Sequence, residues 1–168
     1  MTPGASVGGP VVEGDQHAAC VSAWLDRSAP GLSSVDLLRL FEAALGALWI
    51  RTKSTLGEVT LTVIAERVLH NASERFSLLW SLKVDPHTGI QCRELREWIG
   101  SVRPAELTEA IRFTLGELLR VLGHLTAEIL TPELHLELYG VVLPQAIRVG
   151  RTTPSGRYLP LDIEGKGS

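Results

Sequence analysis

Cysteine is scarce in this chain. Cys20 and Cys92 are the two in 168 residues, and they stand in unlike segments far apart. A disulfide framework needs more of them and a zinc site needs close ligand pairs, so the expectation is two reduced thiols in a reducing compartment. Long apolar runs are missing too. The longest cover a few residues, whereas a membrane-crossing helix needs about 20. The opening stretch MTPGASVGGPVVEGD lacks the basic segment and following apolar segment of a secretory signal. Together these absences predict a soluble, cytoplasmic protein that does not engage a membrane.

Clustered positive charge is also absent. The formal net charge is −3 and no five basic residues are consecutive. Such a chain has no electrostatic reason to bind nucleic acid. Catalytic signatures are missing as well. There is no Gly-x-Ser-x-Gly, and Gly4, Gly8 and Gly9 are not set between a strand and a helix as a phosphate loop requires. The stretch Gly150–Gly156 lacks the Lys-Ser/Thr ending of such a loop and reads as an ordinary connection. The expectation is a protein that is not an enzyme and carries no cofactor.

What the chain does have is apolar residues, 45% of the total, against 21% charged. That suffices for one domain with its own core. Residues 1–30 read as a flexible N-terminal tail, with room for a short helix over His17–Leu25 before Pro30 and Gly31 break the chain. A helix is expected from Ser33 or Ser34 to about Arg51, carrying Leu37, Leu38, Phe41, Leu45 and Leu48 on one face. A second, from Glu58 to about Phe76, has the stripe Leu61, Ile64, Ala65, Val68, Ala72 and Phe76. The Ser54–Gly57 link is short enough to make the two neighbours.

From Ser81 to Cys92 the pattern alternates around Pro86-His87-Thr88-Gly89, which predicts a small β-hairpin. Two strands alone are marginal in water. The hairpin is therefore expected to pack on the helices through Leu82, Val84, Ile90 and Cys92. A short helix over Arg93–Ile99 follows.

The strongest signal begins at Pro104. Ile111, Leu115, Leu118, Leu122, Leu125 and Ile129 are spaced 4, 3, 4, 3, 4, the seam of a coiled coil or tight bundle. Phe113, Leu119 and Val121 widen the apolar surface beyond that seam. Thr131-Pro132-Glu133 is a fresh helix start, so the region to Leu138 divides near Thr131. The predicted fold is mainly α: a bundle of about four to five helices over residues 33–143, a hairpin near 81–92, and disordered termini, with 144–168 extended or disordered.

The histidines are the natural place to look for chemistry. His70 lies two positions past Val68, off the apolar stripe. An exposed histidine on a bundle helix is what phosphotransfer requires, yet the sequence around it has neither the lysine and glycine nor the following acid usual for that role. His124 and Glu128, at i, i+4, could share a helix face, but no Glu-x-x-His on a second helix completes a metal site, and no metal is expected. His17 falls in the predicted tail, His87 in the predicted turn and His135 in the last helix.

Excess apolar surface on the long helix, and tryptophans near element ends, favour interaction over chemistry. The expected interface residues are Phe113, Leu119, Val121, Trp49 and Trp98. The passage Leu122-Gly-His-Leu-Thr-Ala-Glu-Ile-Leu-Thr-Pro-Glu-Leu134 resembles in texture the helical signalling and regulatory domains common in prokaryotes. The sequence therefore reads as a non-enzymatic helical adaptor or regulatory protein of a prokaryotic-type signalling system. It would act on a protein partner, with a homodimer also compatible with the seam. The alternatives are a phosphotransfer-like module using His70 and a small-molecule sensor with a pocket between helices and hairpin.

Overall fold

Helix propensity, capping and apolar spacing agree over most of the chain, and the computed structural model, which describes residues 13–143, is mainly α with a small β-hairpin. The expected tail over residues 1–12 and the expected extended segment 144–168 lie outside the described residues. Six α-helices are present among those described. They are α1 (Glu13–Ser28), α2 (Ser34–Leu56), α3 (Glu58–Arg75), α4 (Arg93–Trp98), α5 (Pro104–Leu125) and α6 (Thr131–Gly140). Strands β1 (Lys83–Asp85) and β2 (Gly89–Gln91) pair antiparallel, with Val84 opposite Ile90.

The α2 cap follows from Ser33. Its Oγ accepts from the Asp36 N–H at 3.2 Å and donates to the Asp36 carboxylate at 2.9 Å. The helix runs five residues beyond the expected Arg51 and stops at Gly57, whose φ of +78° suits glycine. Helix α3 begins at once, so a single residue links the two helices. At its far end, residues Ser77–Ser81 form a 3₁₀ turn, which takes in Ser81, where the alternation was expected to begin.

The hairpin packs as its alternation predicted, with Leu82 and Cys92 buried and Val84 and Ile90 half-buried against the core. Gly89 lies against the buried indole of Trp49: a Cβ built at Gly89 would be 2.8 Å from Trp49 Cδ2. Trp49 is thus the platform of the hairpin and belongs to the core, not to an interface.

Helix α5 packs on α1, α2, α3 and α6. Leu107, Ile111, Leu115, Leu118 and Leu122 are buried, each worth about 1.5–3 kcal/mol of transfer free energy. Leu119 is buried as well, whereas Phe113 and Val121, expected on the same side, are only partly buried. The seam ends early. Leu125 is 55% exposed and Ile129 77% exposed, because the helix stops at Leu125 and the chain turns through Ala127 and Glu128 with φ of 49° and 62°. Helix α6 then starts at Thr131 with Pro132 in its first turn, the break the sequence predicted.

The largest correction concerns α1. His17, Cys20, Val21, Trp24, Leu25 and Ser28 form one buried stripe, and α1 lies along α5. Trp24 Nε1 donates to the Val141 carbonyl at 2.9 Å, tying α1 to the end of α6. The domain therefore includes residues expected to be tail.

Candidate functional site

Helices α1, α3 and α5 leave an open groove of about 350 Å³ between them. Its floor is apolar. Phe76 ends α3 and Phe113 lies mid-α5, and their rings approach to 6.0 Å between centroids at 51°. Ala18 lines the groove from α1, and Gly116 leaves it open because a Cβ there would meet nothing within 4 Å.

Its walls are charged. The Arg75 guanidinium lies 4.7 Å over the Phe113 ring, within cation–π range. Arg112 donates to Glu109 at 2.5 Å. Arg120 grips Glu117 through two bonds of 2.7 and 3.2 Å, and the bond to Glu117 raises the Arg120 pKa further. Each of these two pairs sits on α5 at i, i+3 spacing. Arg75 has no hydrogen-bond or carboxylate partner among the described residues, and Arg112 Nε is buried without one. Three cations therefore face two carboxylates, and donor capacity is left over.

Of the expected interface residues, Phe113 lines this groove. Val121 is half-buried against the core elsewhere on α5, and Trp98 is 41% exposed at the end of α4. Leu119 and Trp49 are core residues and offer a partner no surface. The arginines of this groove carry no motif in the sequence; Arg112 and Arg120 each have a glutamate at i, i+3, and Arg75 has no carboxylate partner among the described residues. Trp80, a tryptophan near an element end that was not among the expected interface residues, is 66% exposed, and Val59 and Val63 are exposed on the outer face of α3.

His70 is exposed, as its offset from Val68 predicted, and its Nε2 is 3.4 Å from Glu74. It lines a separate cleft of about 450 Å³ with Trp80, Ser73 and Glu66. His87 lies in the hairpin turn beside Glu58. His124 and Glu128 do not share a helix face, because α5 ends between them and Glu128 turns back towards His17. No group of three or more His, Cys, Asp or Glu among the described residues could hold a metal ion. Both cysteines are free and buried; burial, with the Glu42 charge, pushes the Cys92 thiol up to about 12. No described helix is long and apolar enough to cross a membrane.

Comparison with protein-family models, curated proteins and solved structures gave no match to this chain.

Proposed function

We propose that the protein is a non-enzymatic helical adaptor or regulatory module that binds a partner protein through the groove between α1, α3 and α5. The supporting observation is the Phe76–Phe113 floor with Arg75 stacked above it and Arg112 and Arg120 on its wall. Such a trough takes an amphipathic helix: an aliphatic or aromatic anchor enters the floor while flanking carboxylates meet the guanidinium groups. Arginine and aromatic residues are also the side chains that most often dominate binding energy. The complementary partner is acidic on the rim of its apolar face.

The test uses a set of designed amphipathic helical peptides with acidic, neutral or basic flanks. Gly116→Leu is the blocking variant: it fills the groove where the wild type has open space, and leucine suits a helix better than glycine. Acidic peptides should bind the wild type and lose affinity at least about tenfold on Gly116→Leu. Equal binding of acidic and basic peptides, or no effect of Gly116→Leu, would sink the proposal. Self-association through this groove would show instead as a concentration-dependent sedimentation coefficient that Gly116→Leu abolishes.

A further inference from the structure

His17 is fully buried and has both ring nitrogens occupied. Nδ1 is 2.9 Å from Nε2 of His135 on α6, and Nε2 is 3.2 Å from the Glu128 carboxylate in the turn before α6. The two imidazoles meet edge to face at 88°, with centroids 5.1 Å apart. Glu128 also accepts from the Thr131 hydroxyl.

The fold makes several local accommodations for this cluster. Ala127 and Glu128 both adopt the left-handed conformation that side chains disfavour. Gly123 stands beneath them: a Cβ there would lie 2.5 Å from Glu128 Oε2 and 2.7 Å from His17 Nε2. Backbone strain and a required glycine thus converge on one buried polar contact between α1 and α6.

Counting protons shows what the contact can tolerate. A carboxylate only accepts, so His17 Nε2 carries a proton towards Glu128. With both rings neutral, His135 Nε2–H donates to His17 Nδ1. With one proton added to the pair, one facing nitrogen still carries hydrogen and the other a lone pair, so the contact survives. With a second proton added, both facing nitrogens carry hydrogen and two cations abut, so the contact must open. His135 is half-buried and reachable from solvent.

We propose that His17, His135 and Glu128 form a proton-controlled latch, which holds α6 against α1 and releases it when both imidazoles are charged. Release would uncover Leu134, Leu138 and Val141, together with the Trp24 surface they seal. Other polar groups also hold α6 in place, and none of them touches either imidazole. On α1, Arg27 donates to the Tyr139 carbonyl at 2.6 Å and lies over its ring, and the buried thiol of Cys20 is on the same stripe as His17. From α2, Arg51 pairs with Glu133. Glu137 of α6 lines a shallow cleft against α2, and His124 at the end of α5 is exposed. Among the described residues, Glu128 is the one carboxylate bonded to either imidazole.

Hydrogen exchange of the full chain at pH 7.5 and pH 5.0, corrected for intrinsic rates, tests this, with α3 as the internal reference. In the wild type, α6 amides should lose protection at least about tenfold at the lower pH while α3 holds. His135→Gln keeps a donor towards His17 but cannot take up a proton, so its α6 protection should be the same at both pH values. The latch is overturned if wild-type α6 protection does not change, if α3 and α6 lose it together, or if His135→Gln keeps the pH response.

Discussion

Adding one methyl group to a glycine should have opposite effects at two places in this fold. At Gly89, the new Cβ would lie 2.8 Å from Trp49 Cδ2, 3.0 Å from Cγ and 3.2 Å from Cε3. Trp49 is buried, so the rigid indole has nowhere to go. Overpacking of this kind costs about 1–3 kcal/mol. Gly89 also has φ of +90°, which adds roughly 1–2 kcal/mol for a residue with a side chain. Gly89→Ala should thus lose about 2–5 kcal/mol. At roughly 3–6 °C per kcal/mol for a domain of this size, the thermal midpoint should fall by at least about 6 °C. At Gly46, in the middle of α2, a Cβ meets nothing within 4 Å. Gly46→Ala should therefore stabilise by about 0.5–1 kcal/mol. Urea unfolding followed by far-ultraviolet circular dichroism compares the two. Were Gly89→Ala to unfold within 0.5 kcal/mol of the wild type, the hairpin would not rest on Trp49, and Trp49 would be free to face a partner after all.

Three further outcomes are expected. Burial, then the charge of His17, lowers the His135 pKa below its ordinary 6.5, with Glu128 acting against them. The unfolded chain then takes up the proton first, so unfolding free energy should decline as pH drops below about 6.5 and level off below the depressed folded value; denaturant titrations at stepped pH should show this, and the slope should be smaller in His135→Gln. Burial raises both thiols, Cys92 to about 12 and Cys20 in the same direction, so neither should react with a disulfide reagent at pH 8 in the native protein, while both react in denaturant. Leu118→Asp places an uncompensated charge in the core and should unfold the chain, whereas Val121→Asp at a half-buried position should cost far less; equal losses in thermal melts would contradict this placement of the core.

Local signals made much of the fold legible. Ser33, Pro104 and Thr131-Pro132 marked helix starts, and the spacing of Leu107 to Leu122 marked the buried face of α5. What failed was long-range. Helix α1 was foreseen only as a short helix over His17–Leu25 within a tail, because its N-terminal neighbourhood is rich in glycine and proline, and the worth of Trp24 lies in a carbonyl at Val141, 117 residues away. The seam was extended to Leu125 and Ile129 because a spacing rule cannot see a helix ending in left-handed Ala127 and Glu128, neither of them glycine. Leu119 beside the seam and Trp49 near a helix end were expected at an interface, but neighbouring helices cover Leu119 and the hairpin covers Trp49. The groove was half legible. Phe113 was named from its place beside the seam, whereas Phe76 was assigned to the α3 stripe and the arginines carried no pattern of their own.

The proposed occupant of the groove is an acidic amphipathic helix, held partly by Arg75. A charge-swap cycle measured by calorimetry tests it most directly. The four combinations pair wild-type or Arg75→Glu protein with an acidic-flanked peptide or its lysine-flanked counterpart. Each mismatch should weaken binding, and the double swap should recover it, with a coupling of at least about 1 kcal/mol. Additive effects with no recovery would contradict the claim, because the peptide's charges would then not be meeting Arg75.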